Sequence, residues 1–179
     1  MIMFQHDNNR GFTLMEVLVV VSIVTMGLLG VSSLSLQNVQ VQSVNNEELV
    51  ASLLAQEGIE LVRNIRDRNW ITSPYDQWKN DIANPSEFIL DYDDNIPDHT
   101  ISSPFDSAEI ASMRLYLKDE YYAHDNTGTI TKYHRYFETF SMTEAADTAD
   151  ALKVVCYVNW NSRGRNHTYH LESHLYNWR

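Results

Sequence analysis

The peptide bond between Gly11 and Phe12 is followed, four residues on, by a lone carboxylate, Glu16. That carboxylate stands at the mouth of an apolar run from Val17 to Val31, and no further charged side chain occurs until Glu47. An ionised Glu in hydrocarbon carries a penalty of roughly 2.5 to 3.5 kcal/mol, so Glu16 needs a partner. Cutting after the small Gly11 would supply one, because it creates a positive amine on Phe12 four residues before Glu16.

The run Gly11, Phe12, Thr13, Leu14 and Glu16, continued by an apolar segment, resembles the processing site of type IV prepilins and of type II secretion pseudopilins. The resemblance covers residues 10 to about 36. It implies that a prepilin peptidase cuts after Gly11 and that the new amine of Phe12 is methylated. It also implies that Glu16 pairs with the amine of a neighbouring subunit, with Thr13 and Leu14 part of the same assembly segment. The implied partners are other pilin subunits in a helical fibre and, before assembly, the inner membrane. A secretory signal peptide would place its small-residue cleavage site after the apolar run, whereas here the small residue precedes it. A plain uncleaved anchor leaves Glu16 unexplained. A start at Met1 or at Met3 leaves the cut in the same place.

An element must carry these residues, and the sequence predicts one long helix. Apolar residues fill every face from Phe12 to Val31, and about 20 of them at 1.5 Å each span a bilayer. Arg10 is a weak positive-inside signal that places the leader in the cytoplasm and the rest of the chain outside. Further on, Val50, Leu54, Leu61 and Ile65, with Leu53 beside them, recur at helical spacing among charged residues, which predicts one stripe facing a sheet. No proline interrupts residues 12 to 73, so a single helix of about 55 residues is expected, with Arg63, Arg66 and Arg68 near its negative end. Gly27 and Gly30 lie in the apolar half, where close helix approach and ordinary tolerance of glycine are equal readings. Gly58 predicts close approach of a strand backbone.

Residues 69 to 112 hold all four prolines, Pro74, Pro85, Pro97 and Pro104, and read as an irregular connection. Two hairpins follow: Met113–Tyr122 with Thr129–Phe140 across Asp125–Gly128, and Leu152–Trp160 with His167–Trp178 across Asn161–Asn166. The expected fold class is therefore α+β and pilin-like, with the amphipathic half of the helix packed on a four-stranded antiparallel sheet. Its parts are a leader over 1–11, an assembly half over 12–36, an amphipathic half over 37–68, a connecting region over 69–112 and a sheet over 113–179.

The 179-residue chain has a formal net charge of −11, which argues against a general nucleic-acid binder and suits a soluble exported surface. Cys156 is the only cysteine, so no intramolecular disulfide forms, and this departs from the many pilins that pin a C-terminal loop with one. On the apolar face of its strand Cys156 reads as a small buried hydrophobe.

The remaining chemistry-bearing groups are weak signals. Asp91, Asp93, Asp94 and Asn95 offer oxygen ligands but lack the spacing of a calcium loop, and read as a solvated turn. His170 and His174 share a strand face, but zinc would need further ligands, so no metal site and no cofactor is assigned. Arg163 and Arg165 are the candidate ligand-binding residues, for DNA phosphates, although two arginines in so acidic a chain read more simply as a soluble turn. Tyr121, Tyr122, Tyr133, Tyr136, Trp160 and Trp178 suggest either a binding platform or cross-strand packing, and packing is the simpler reading. Ser173 and His174 are adjacent on a strand, point to opposite faces and form no relay, so no enzyme is expected. The function implied is a structural subunit of a pilus-like fibre, a minor pilin, with a secretion pseudopilin or a pilus-tip binding module as the alternatives.

Overall fold

The computed structural model of the protein describes residues 13–72, 77–83, 87–94, 96–97, 99–101, 107–143 and 150–177. They form one long helix, α1 (Leu14–Thr72), two short ones, α2 (Asn80–Ala83) and α3 (Ser107–Ser112), and seven strands. The strands are β1 (Glu87–Ile89), β2 (His99–Thr100), β3 (Arg114–Lys118), β4 (Tyr121–Ala123), β5 (Thr129–Thr143), β6 (Asp150–Ser162) and β7 (Arg165–Tyr176). The α+β expectation holds. Two compact units divide between Asn45 and Asn46.

In the first unit, α1 is apolar from Val17 to Val31 and exposed there around its whole circumference, with Leu14, Val17, Val20, Val24, Leu28 and Val31 all open. Two hydroxyls within the apolar stretch are satisfied on the helix backbone: Ser22 Oγ donates to the Leu18 carbonyl at 2.8 Å and Thr25 Oγ1 to that of Ser22 at 2.9 Å. Such local bonds let hydroxyls sit in an apolar environment.

In the second unit, α1 packs on an antiparallel sheet whose long members are β5, β6 and β7. The other edge of β5 is paired by β3 over Thr129 to His134 and by β1 at Phe137 and Glu138, and these carry β4 and β2 beyond them. Six of the strands have three or more residues and β2 has two, so the expected four-stranded sheet is corrected. The extra members arise in two places. Phe88–Ile89, read as part of an irregular connection, pairs with β5 as β1; a three-residue strand is too short for periodicity to reveal. The predicted strand over 113–122 is itself a hairpin, folded at Asp119 and Glu120, both at positive φ (46° and 75°). That conformation suits a two-residue turn but usually calls for Gly or Asn, which is why this sequence conceals it.

The β6–β7 turn is also tighter than predicted. It consists of Arg163 and Gly164 alone, at φ 52° and 77°, and the ladder continues to Ser162 opposite Arg165. Gly128, in the β4–β5 connection, is required by contact: an added Cβ would lie 2.7 Å from the Leu117 carbonyl oxygen.

The buried face of α1 runs through Ala51, Leu54, Ala55, Gly58, Ile59, Val62 and Ile65. Leu54 and Ile65 were predicted there, but Val50 and Leu61 flank the seam and Leu53 is exposed. The seam follows the small residues because they let the helix approach the sheet. A Cβ on Gly58 would lie 2.8 Å from Cys156 Sγ and 2.9 Å from Phe137 Cζ, so the close neighbours are side chains and not a strand backbone. Opposite the helix stand Phe137, Leu152, Val154, Cys156, Val158 and Leu175. The helix also runs on past the expected end to Thr72, so none of the arginines lies in its last turn. Buried Asn69 instead fastens that end, donating from Nδ2 to the Trp78 carbonyl at 3.2 Å. The other face of the sheet carries a second, smaller core of Ile89, Ile101, Met113 and Tyr136, with Tyr157 against it.

Candidate functional site

Gly11, Phe12 and Arg10 lie outside the described residues, which begin at Thr13. Thr13 caps α1: its Oγ1 accepts from the Glu16 amide at 3.3 Å, and its carbonyl accepts from the same amide at 3.0 Å and from the Val17 amide at 3.3 Å. Thr13-Leu14-Met15-Glu16 thus has the sequence form of a capping box, with Glu16 in the first turn where the helix dipole favours a carboxylate. Sequence reasoning had treated Thr13 only as part of the processing pattern, although the T-x-x-E spacing before an apolar run carries the signal. Leu14 is 80 % exposed and Glu16 is exposed beside it, which leaves the segment open to partners.

Arg163 sits in the β6–β7 turn and Arg165 opens β7, both exposed. The turn is fastened by Asn161, whose Nδ2 donates to Asn166 Oδ1 at 2.8 Å and whose Oδ1 accepts from the Gly164 amide at 3.2 Å. His170 and His174 fall on the sheet face turned away from α1, while His167 falls on the other face and stacks on Trp160 at 5.3 Å. His174 Nε2 lies 2.7 Å from Glu172 Oε1, two residues away on the same face. Ser173 points to the helix side, where its Oγ accepts from Arg63 Nη2 at 3.1 Å, so serine and histidine are separated as expected. Trp178 lies outside the described residues; Tyr133, Tyr136 and Trp160 are buried, and Tyr136 stacks on Tyr157 across the strands at 4.9 Å.

The acidic stretch is a turn, as expected, but only in part a solvated one, because Asp91 is built into the head. Asp91 holds the His124 ring nitrogen Nδ1 at 2.6 Å and accepts from the His124 amide at 2.8 Å, and Arg135 Nη2 is 3.8 Å away. Asp94 Oδ2 accepts from the Asp91 amide at 2.7 Å, whereas Asp93 remains exposed and Asn95 lies outside the described residues. Arg135 is the centre of this network. It is 0 % exposed, and it donates from Nη1 to the Leu54 carbonyl at 3.4 Å and to Glu57 Oε1 at 3.2 Å, and from Nη2 to the Leu90 carbonyl at 3.2 Å. Burial pushes the Asp91 carboxyl up, but the hydrogen bond to the His124 ring, the His124 charge and amide, and the Arg135 guanidinium outweigh it, and the net shift is downward. Sequence reading missed this network because its members lie 30 to 80 residues apart, beyond any local pattern. Cys156 is fully buried, and burial pushes its thiol up to about 12, which makes it an inert packing group.

Residues 6–32 match the prokaryotic N-terminal methylation motif, the type IV prepilin-like signal, and the chain is consistent with a pilin-like protein. No curated protein and no solved structure matches the chain. The matched segment runs into a single helix long and apolar enough to cross a membrane, which fits anchoring by that helix.

Proposed function

We propose that the chain is a non-catalytic subunit of a type IV pilus-like fibre, a minor pilin, cut after Gly11 and methylated on the amine of Phe12. Its apolar helix anchors it in the inner membrane with the head outside the cytoplasm, and then packs among the helices of companion subunits. The observation that carries this reading is the coincidence of the matched segment with a helix start that is exposed and apolar on every face. An apolar side chain left in water forgoes roughly 1.5 to 3 kcal/mol, so a run of them demands lipid or neighbouring helices. Glu16 then serves assembly by neutralising the Phe12 amine of a neighbour, which leaves an unpaired charge in any wrong register.

Mass spectrometry of the mature N-terminal peptide, in membrane and sheared-fibre fractions of the native host, tests the proposal. A peptide beginning at methylated Phe12 is expected in the fibre fraction. The same peptide confined to membranes favours a secretion pseudopilus, and an intact leader in both fractions overturns the reading.

A further inference from the structure

The sheet face turned away from α1 carries a row of polar side chains that the fibre reading does not use. Register places Arg114 opposite His134, His134 opposite Asn159, and Asn159 opposite Thr168, so the four stand abreast on β3, β5, β6 and β7. Towards the β6–β7 turn, Asn161 and Asn166 form the next pair. On the other side lie the rings of Tyr136, Tyr157 and His170, stacked or tilted at 4.9 and 5.9 Å. A cleft of about 300 Å³ opens over the polar row, walled on one side by Ile110 and Met113 at α3. His134 and Asn161 also line an adjoining hollow that reaches Arg114.

Two residues that line this cleft each have a buried side-chain atom with no hydrogen-bond partner, His134 Nε2 and Asn159 Oδ1. Buried polar groups are normally paired, so an unpaired couple on a cleft floor points to a ligand. Their chemistry limits what that ligand is. Asn159 Oδ1 only accepts, while a neutral imidazole nitrogen donates or accepts according to its tautomer. Burial, and then the Arg114 charge, hold the His134 pKa below its ordinary value, with the main chain of Asn159 and Lys132 pulling the other way, which favours the neutral ring. A single hydroxyl satisfies both atoms when it donates to Asn159 Oδ1 and accepts from His134 Nε2–H, and two neighbouring hydroxyls, each donating, satisfy them when Nε2 is the acceptor. Asn161, Asn166 and Thr168 around them are likewise neutral and able to donate and accept, Arg114 lines the adjoining hollow and not this cleft, and Lys132 is already paired with Glu47.

We propose that this cleft binds a neutral, hydroxyl-rich ligand, a segment of saccharide, with Asn159 and His134 as its central hydrogen-bonding groups. The site lies wholly within the second unit and does not depend on processing or assembly, so it stands or falls separately from the fibre reading. The test uses the full chain in a detergent without a sugar headgroup, applied to immobilised neutral oligosaccharides and to sialylated and sulfated ones. Retention on neutral oligosaccharides is expected, weakened about tenfold or more by Asn159→Leu and by His134→Phe at unchanged thermal unfolding. Thr168→Val, at the exposed rim, is expected to weaken retention too, and it serves where the buried variants fail to fold. Retention on no neutral oligosaccharide, retention on the charged ones alone, or retention that the folded variants keep would each overturn the proposal.

Discussion

At the scale of single residues, Arg135 shows how a buried charge is made tolerable. Its guanidinium lies between the Leu54 carbonyl and Glu57 of α1 on one side and the Leu90 carbonyl and Asp91 on the other, so the same side chain joins helix, sheet and connecting segment. Taking one partner away leaves the charge buried and under-compensated, which costs more than the bond itself. Asp91→Asn is therefore expected to destabilise the head by about 2 kcal/mol or more at neutral pH in urea unfolding. The sign of the pH dependence follows from the lowered carboxyl pKa. A carboxylate depressed in the folded state stabilises above its unfolded pKa, and that contribution is lost as pH falls through the folded value. The stability gap between wild type and Asp91→Asn is thus expected to persist from pH 7 to about 4 and to close below it. A gap that does not change down to pH 2.5 would show that Asp91 acts by shape and not by charge. None of this was legible locally: Asp91 reads as one of several turn acids, and Arg135 falls within a predicted strand with no pattern that marks it as the hub of a network.

Among the elements, the long helix was the most legible part of the chain, because 59 residues without proline and with a shift from all-apolar to striped leave little alternative. The stripe itself was misplaced by a fraction of a turn, since a reading weighted towards large apolar residues passes over Ala51, Ala55 and Gly58, whose smallness sets the approach. The sheet was legible where strands are long and alternate, as in β6, and hidden where they are three residues long or joined by a turn without glycine. The polar row of the outer face was hidden for a related reason, because register between strands is a tertiary fact. Gly58 offers a test of how tightly α1 and the sheet are fitted. Gly58→Ala gains about 1 kcal/mol of helix propensity, yet its new methyl meets Cys156 Sγ and Phe137 Cζ within 3 Å. Overpacking at such a site costs about 1 to 3 kcal/mol, so a net loss is expected in thermal unfolding. Combining it with Cys156→Ala removes the nearer contact and should recover part of the loss. Simple additivity of the two substitutions would mean that the seam yields elsewhere.

For the whole molecule, the question is what the first unit is for, since the second has its own core on both sheet faces and the described residues of the first form none. The surface of its apolar stretch requires an apolar environment, and the first turn of α1 holds the only charged side chain between Arg10 and Glu47. Two physical roles for that charge are now distinguishable. Glu16 occupies the third position of a capping box on Thr13, a local function that glutamine performs as well. It is also the proposed counter-charge for the Phe12 amine of a neighbouring subunit, a function that glutamine cannot perform. Glu16→Ala removes both roles and Glu16→Gln removes only the second. If pairing of charges selects the register, both variants are cut after Gly11 as efficiently as wild type, yet both are depleted from sheared fibres. An unpaired charge worth roughly 2.5 kcal/mol corresponds to depletion by a factor of about 50 or more relative to the membrane pool. Incorporation of the Gln variant at wild-type levels, with exclusion of the Ala variant, would instead assign Glu16 to the start of the helix. Normal incorporation of both would remove Glu16 from the mechanism of assembly altogether.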